Sequence, residues 1–398
     1  MLGKTPSIVT HNVRVMYGLD LFRAMWFITS VWVAFERQFI TLSQLTIVEA
    51  LAIAVALIMQ LPTGAFADLL GKKKALIIGS ITFSAAMVFY SISTTMGMFV
   101  IYAVLFGVAS AFFDGTREAL MYDTLKQEHM EHRFAFFSSK LSLIFQISLA
   151  GAAIVGGLLG SVAFEYAIWA TALAHAIAAV ISCFLREPDI DTEKFTWQAY
   201  MGKTVLGVKE LVKNSYIRKV SLYYILIGSL TYVCSLTFNM VLLTEMKFTT
   251  TEIGITSGTA RILVGILLFS LISVTSFFTR KRTFMVLPLI MFLSFTPAVF
   301  LSKWFVIIPF AGALFVSNSR WNILGRYTNA EFASQNRTTA ISALNMIIGI
   351  FYVIVVGASG FIMDRFGGIR TIYTMLGIAS AVFILPLGLH LAKHHGQE

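Results

Sequence analysis

The chain has 398 residues and a formal net charge of +10, with 57% hydrophobic and only 13% charged residues. An average soluble domain carries about 25% charge. This balance excludes a soluble globular enzyme, a disordered chain and a nucleic-acid-binding domain. It leaves a polytopic membrane protein, provided that the apolar residues come in runs long enough to span a bilayer.

They do. A helical span needs about 20 apolar residues, and twelve such runs are predicted near 14–36, 44–66, 75–95, 97–117, 138–160, 163–185, 219–243, 252–277, 283–301, 303–323, 338–361 and 370–391. The expected fold class is an all-α polytopic membrane protein. An even number of spans puts both termini on one side. Of the 30 Lys and Arg residues, 23 fall on that side and 5 on the other, with Arg23 and Arg261 inside spans. Basic loops stay in the cytoplasm, so both termini are expected there, and the net charge needs no nucleic acid to explain it. Cys183 and Cys234 both lie in apolar runs and are expected to be buried free thiols.

Taken in chain order, the first span carries Asp20 and Arg23 one helical turn apart, so that they can pair. An ionisable residue within a span is a functional candidate by default. Two readings stay open for this pair: a proton carrier gated by Arg23, or a structural pair reaching toward the cytoplasm.

The second and third spans are joined by Gly64-Ala-Phe-Ala-Asp68-Leu-Leu-Gly71-Lys72-Lys73-Lys74. Gly64 lets helices approach closely, Gly71 permits a tight turn, and Asp68 at a membrane edge needs a partner. The segment resembles the hallmark loop of the major facilitator superfamily, with Leu69 where that family usually has a cation. The resemblance implies twelve transmembrane helices in two six-helix pseudo-repeats and transport by alternating access. It also implies that Asp68 locks the cytoplasmic ends of the two bundles, with Arg117 and the start of the eleventh span as expected partners. Near the end of the fourth span come Asp114, Arg117 and Glu118, spaced to share one helical face. With Gly64, Asp68, Gly71, Lys72 and Lys73, the pair Arg117 and Glu118 is expected to form a cytoplasmic gate; Asp114 joins Asp20 and Arg23 as a candidate for proton coupling. Two usual marks of proton-coupled exporters in this family are missing: Ala103 stands where an Arg would precede Gly107, and Ala152-Ala153 where Gly-Pro would precede Gly156-Gly157.

The longest polar stretch, 186–218, divides the chain into an N-terminal bundle (1–185), a linker and a C-terminal bundle (219–398). Within it Trp197, Met201, Val205, Val208 and Val212 recur at helical spacing, which fits an amphipathic helix on the membrane face. The flanking halves look like diverged copies: Arg133 aligns with Arg337, Gly156 with Gly360 and Asp114 with Asn318, all at an offset of 204. Repeats of this kind belong to transporters that rock two bundles about a central site.

Spans 1, 4, 7 and 10 line the cavity in the resembling family. Here they offer Trp26; Asp114; Tyr223, Tyr224, Tyr232 and Asn239; and Asn318 and Trp321. Gln60, Gln146 and Asn345 are further polar groups in apolar runs. Arg261 in the eighth span is expected to bind an anionic group or to pair with Glu49 or Glu36. Aromatic walls with few polar groups suit an amphipathic solute.

No phosphate-binding loop encodes ATP drive. His129 and His132, and the tail residues His390, His394 and His395, lack supporting carboxylates, so no metal and no cofactor are expected. The sequence reads as a monomeric bacterial inner-membrane secondary transporter, not an enzyme. Proton-coupled efflux of an amphipathic compound is the first expectation. Uptake of a small polar metabolite, or a non-transporting sensor with the same fold, remain the alternatives.

Overall fold

A computed structural model describes residues 7–189, 197–273, 277–333 and 336–393. His394 and His395 lie outside these residues. All regular structure among them is helical, and ten helical runs are long and apolar enough to cross a membrane. Two of the twelve predicted spans are not among these ten: the first is a broken helix, and the tenth is a continuous helical run with a π turn inside it.

The chain divides into two compact units: Met1–Ile40, Leu51–Thr196 and Thr250–Gly258 form the first, and Thr41–Ala50, Trp197–Thr249 and Thr259–Glu398 the second.

The first unit opens with α1 (Ile8–Arg23), which is N-capped by Ser7. A 3₁₀ turn (Phe27–Ser30) and the short α2 (Trp32–Glu36) follow. The break has an identifiable cause. In place of the helical ladder, the Ile28 N–H donates to Thr171 Oγ1 at 3.0 Å, and Ser30 Oγ donates to the Ala153 carbonyl at 2.7 Å. These acceptors lie on α7 (Phe134–Gly160) and α8 (Phe164–Ser182). Gly156 on α7 makes room for the turn, since a Cβ there would stand 1.9 Å from the Phe27 carbonyl oxygen.

Next come α3 (Leu42–Leu70), α4 (Lys72–Ser91), α5 (Met96–Phe113) and α6 (Thr116–Gln127). The fourth predicted span therefore does not end in a loop: α5 stops at Asp114-Gly115, where Gly115 takes φ +78°, and a second helix starts. Val9, Val13, Met16, Leu19, Leu76, Phe113, Leu120 and Leu141 form the core between these helices. Near the C-terminal end of α4, Glu36 is 1% exposed and accepts a 2.9 Å hydrogen bond from Tyr90 Oη.

The second unit begins in the linker with α9 (Trp197–Leu211). Met201, Val205, Leu206 and Val208 on it, and Val212 just beyond, are exposed apolar residues, while Glu210 points inward and is 5% exposed. Glu210 accepts from the Ala333 N–H at 3.1 Å and from Asn336 Nδ2 at 3.2 Å, at the entry to α16 (Arg337–Phe366). The backbone N–H first, and then Asn336 and Lys213, hold the Glu210 carboxyl below its ordinary value of 4.5. A depressed value means that the docking contribution is complete above pH 4.5 and fades as pH falls through the lowered value. Amide-exchange protection of α9 is therefore expected to drop on acidification below pH 4.5. Glu210→Gln should reduce it already at neutral pH, and unchanged protection in that variant would refute the anchor.

The remaining elements are α10 (Ser215–Val233), a π turn (Cys234–Phe238), α11 (Asn239–Glu245) and α12 (Thr250–Ser273), then α13 (Arg280–Phe295) and α14 (Ile307–Ser319). A second π turn (Arg320–Leu324) leads into α15 (Gly325–Glu331), and α16 is followed by α17 (Ile369–Ala379), a third π turn and α18 (Leu385–Lys393). The helix of the tenth span thus runs on to Glu331, beyond the predicted limit of 323. Gly360, the counterpart of Gly156, also marks a close approach: a Cβ there would meet Ser43 Cα at 2.5 Å. Cys234 is buried as expected, whereas Cys183 is exposed; both are free thiols. Cys183 misses burial because the outer face of α8 it shares with Val180 is itself exposed.

Candidate functional site

The strongest concentration of charge in the first unit gathers where α1 meets α6. Asp20, wholly buried, takes Arg117 Nη1 at 2.5 Å on one oxygen and Arg23 Nε at 3.6 Å on the other. The Arg117 guanidinium also donates to its neighbour Glu118. Arg23 lies over the rings of Phe113 and Phe145, 5.1 and 5.2 Å from their centroids, which offsets part of its desolvation. A few residues away Gln60 Nε2 donates to Asp114 at 3.3 Å. All of these groups belong to one unit.

The geometry revises three expectations. Asp114 does not share a helical face with Arg117 and Glu118, because the chain breaks at Gly115 between them. Arg117 is not held by Asp68: its bonds go to Asp20 and Glu118, and Asp68 is exposed with no ion pair among the described residues. Arg261 pairs with neither Glu49 nor Glu36 among the described residues; its Nε is buried without a hydrogen-bond partner. Sequence reasoning could not find the Asp20–Arg117 pair, because 97 positions separate the two residues.

The loop between α3 and α4 works through its backbone. Gly71 takes φ +104°, and the N–H groups of Lys72 and Lys73 donate to the two oxygens of Glu187 at 2.7 and 2.8 Å. The Lys72 ammonium goes to Asp123 at 2.9 Å. A carboxylate at the positive end of a helix stabilises it. Glu187→Ala is expected to cost about 1 kcal/mol and to raise amide exchange at the start of α4. Exchange equal to the parent protein would show the cap to be idle. Gly64 has open space where a Cβ would stand, so it is not a close-approach point in this structure.

Several cavity candidates are committed elsewhere. Tyr223 is fully buried and donates to the Phe284 carbonyl at 2.8 Å, a packing role. Asn239, 1% exposed, accepts from Tyr373 Oη at 2.5 Å. Trp26 packs against Phe83 at a tilt and Phe106 edge-on, and its indole N–H has no acceptor among the described residues. Tyr232 packs on Tyr352 with centroids 5.3 Å apart. Asn318 bonds back to the Leu314 carbonyl at 2.8 Å. Gln146 is exposed and Asn345 half-buried.

One residue was missed. Arg320, counted in the sequence with the basic loops, opens the π turn inside the tenth helical run and is 1% exposed. Its guanidinium faces Tyr224 at 5.3 Å and Trp321 at 4.2 Å from the ring centroids. Removing it from the loop count leaves 22 basic residues against 5, so the argument for orientation is unaffected. The signal available in advance was its place in an apolar run before Trp321-Asn-Ile-Leu.

The sequence model of the Major Facilitator Superfamily matches residues 16–278, more than half the chain. The chain belongs to that family, as a multi-pass membrane protein and secondary transporter of small solutes rather than an enzyme. No curated protein matches the sequence. Among solved structures, a point mutant of the nucleoside transporter NupG is similar, with a TM-score of 0.76 at 16% identity over 98% of this chain and 100% of that one. An auto-inhibited POT family peptide transporter gives 0.74 at 10% identity over 97% of both chains. A POT family transporter in complex with 5-aminolevulinic acid gives 0.69 at 12%, over 97% of this chain and 96% of that one. At these identities the likeness is one of fold.

Proposed function

We propose that the chain exports an amphipathic organic solute from a bacterial cytoplasm in exchange for protons, with Asp20 as the proton carrier and both termini cytoplasmic. The observation that carries this reading is the buried Asp20 carboxylate held between two arginines, with Oδ1 lacking a hydrogen-bond donor. While ionised, Asp20 fixes Arg117. Once protonated it no longer balances the cation, and Arg117 keeps only Glu118. Proton occupancy would thus choose between two arrangements of the α1–α6 contact, and a transporter needs such a two-state element to link ion and solute movement. Asp114, bonded to Gln60, is the second acid of this pathway. Gly64, Asp68, Gly71, Lys72, Lys73, Arg117 and Glu118 form the cytoplasmic gate, and a monomer suffices.

Liposomes holding a pH dye, challenged with amphipathic drugs, sugars, amino acids and organic acids, test the reading. A solute-driven pH change opposite in direction to the solute gradient is expected. A change with the solute would make the protein a symporter. No pH response to any compound would remove Asp20 from its role.

A further inference from the structure

Several half-buried arginines of this chain end on acceptors of their own, although Arg261 Nε, like Arg320 Nε, has none among the described residues. Arg117 has Asp20 and Glu118. Arg280 has Glu331 and the Tyr216 hydroxyl. Arg370 reaches the Val299 and Leu301 carbonyls at 3.2 and 3.3 Å. Arg320 differs. It is the largest fully buried side chain among the described residues. Its one hydrogen bond is to Tyr224 Oη at 3.4 Å, its Nε is buried with no acceptor, and no carboxylate pairs with it among the described residues. The faces of Tyr224 and Trp321 lie against its guanidinium.

A guanidinium cannot shed its charge, and a charge in an apolar interior is expensive unless it is paired. Ring faces offset only part of that expense. The residue is nevertheless given room. At Gly228 a Cβ would stand 3.2 Å from Arg320 Nη1 and 2.4 Å from Ile348 Cδ1, so glycine there keeps space beside the guanidinium. The backbone is also adapted, since Arg320 begins one of three π turns in this unit, a distortion frequent at functional sites. Trp321, stacked on the cation, is itself 54% exposed. The charge therefore lies one ring away from accessible surface.

We infer that Arg320 binds the anionic group of the transported solute, a carboxylate or phosphate oxyanion, with Trp321 as its movable cover and Tyr224 as the residue that orients it. The vacant Nε is half of the two-donor edge that such an anion accepts. The inference rests on the transporter reading and narrows its solute class to organic anions. Phosphate chemistry is shared by a soluble solute and a lipid headgroup, so the test must separate them.

The intact protein in nanodiscs of purely zwitterionic lipid would be titrated with benzoate and phenyl phosphate, and with the neutral analogues benzyl alcohol and phenol, while its thermal midpoint is followed. Saturable stabilisation by an anion and not by its neutral analogue is expected. Arg320→Met should weaken that binding about 10- to 100-fold, the worth of a hydrogen bond to a charged group. Arg320→Lys should retain part of it. If Arg320→Met does not fold, Trp321→Leu decides: it keeps the cation and removes the cover, so anion affinity should rise, and an unchanged affinity counts against the site. Stabilisation equal in Arg320→Met, or none by either anion, overturns the inference. So does an effect seen only when phosphatidylglycerol is added to the discs without a probe, which would assign Arg320 to a headgroup. The two readings can fail separately. Arg320-dependent anion binding without pH-linked flux would leave this site and remove the proton coupling. Flux of neutral solutes with no anion binding would do the reverse.

Discussion

Asp20→Asn is expected to abolish pH-linked solute flux while leaving solute-for-solute exchange in place. The amide is nearly the same shape as the carboxylate, so the helix contact has no steric reason to fail. What changes is charge. Arg117, 13% exposed, and Arg23, 20% exposed, lose their common counter-ion. Removing one partner of a buried ion pair costs about 3–5 kcal/mol, because the other charge is left uncompensated. Glu118 still holds one face of Arg117, which places the expected loss near the lower end, about 3 kcal/mol. The neutral side chain also cannot carry a proton in this pH range, so the α1–α6 contact would no longer respond to the proton gradient. Thermal unfolding in detergent and dye-loaded liposomes measure the two effects. A variant with full pH-linked flux would end the claim for Asp20, whatever its stability.

The second large effect is expected at Gly156→Ala. One methyl group would stand 1.9 Å from the Phe27 carbonyl oxygen and 2.7 Å from its carbon. Both are backbone atoms, in a turn already tied to Ala153 and Thr171. They cannot rotate away as a side-chain tip could. The helix or the turn must shift by more than about 1 Å, and overpacking of this kind costs about 3 kcal/mol or more. Gly151→Ala on the same helix is the control, since nothing lies within 4 Å of a Cβ there. The first variant should lower the thermal midpoint sharply and the second leave it unchanged or raise it slightly, as Ala is the better helix former. Equal midpoints would show that α7 and the turn separate easily.

These two residues also show what could be read from the sequence. Gly156 and Gly360 were paired by their offset alone, and each proves to be a point where backbones nearly touch. Hydropathy located the helical runs because a bilayer demands a minimum apolar length. It could not show that the first run breaks after Arg23, since the break comes from hydrogen bonds to Thr171 and Ala153, more than 100 residues away. Asp114, Arg117 and Glu118 were placed on one face by assuming an unbroken helix; Gly115 at φ +78° defeats that assumption. Arg320 was counted with the loops because a charge near the end of an apolar run reads as its boundary. It lies within the predicted span 303–323, three residues from its end, and the helix that continues to Glu331 moves it to the interior.

The carboxylates of Glu187 and Glu210 have a mechanical consequence. Each is the point at which the connector is fastened, one to the N–H groups that begin α4 and the other to the N–H of Ala333. Only Pro188 to Thr196, nine residues, separate Glu187 from the start of α9. Each end of the connector is thus held by a carboxylate on backbone N–H groups, so a neutral side chain at Glu187 would free the turn at Gly71, and one at Glu210 the entry to α16, without touching the charged cluster at Asp20.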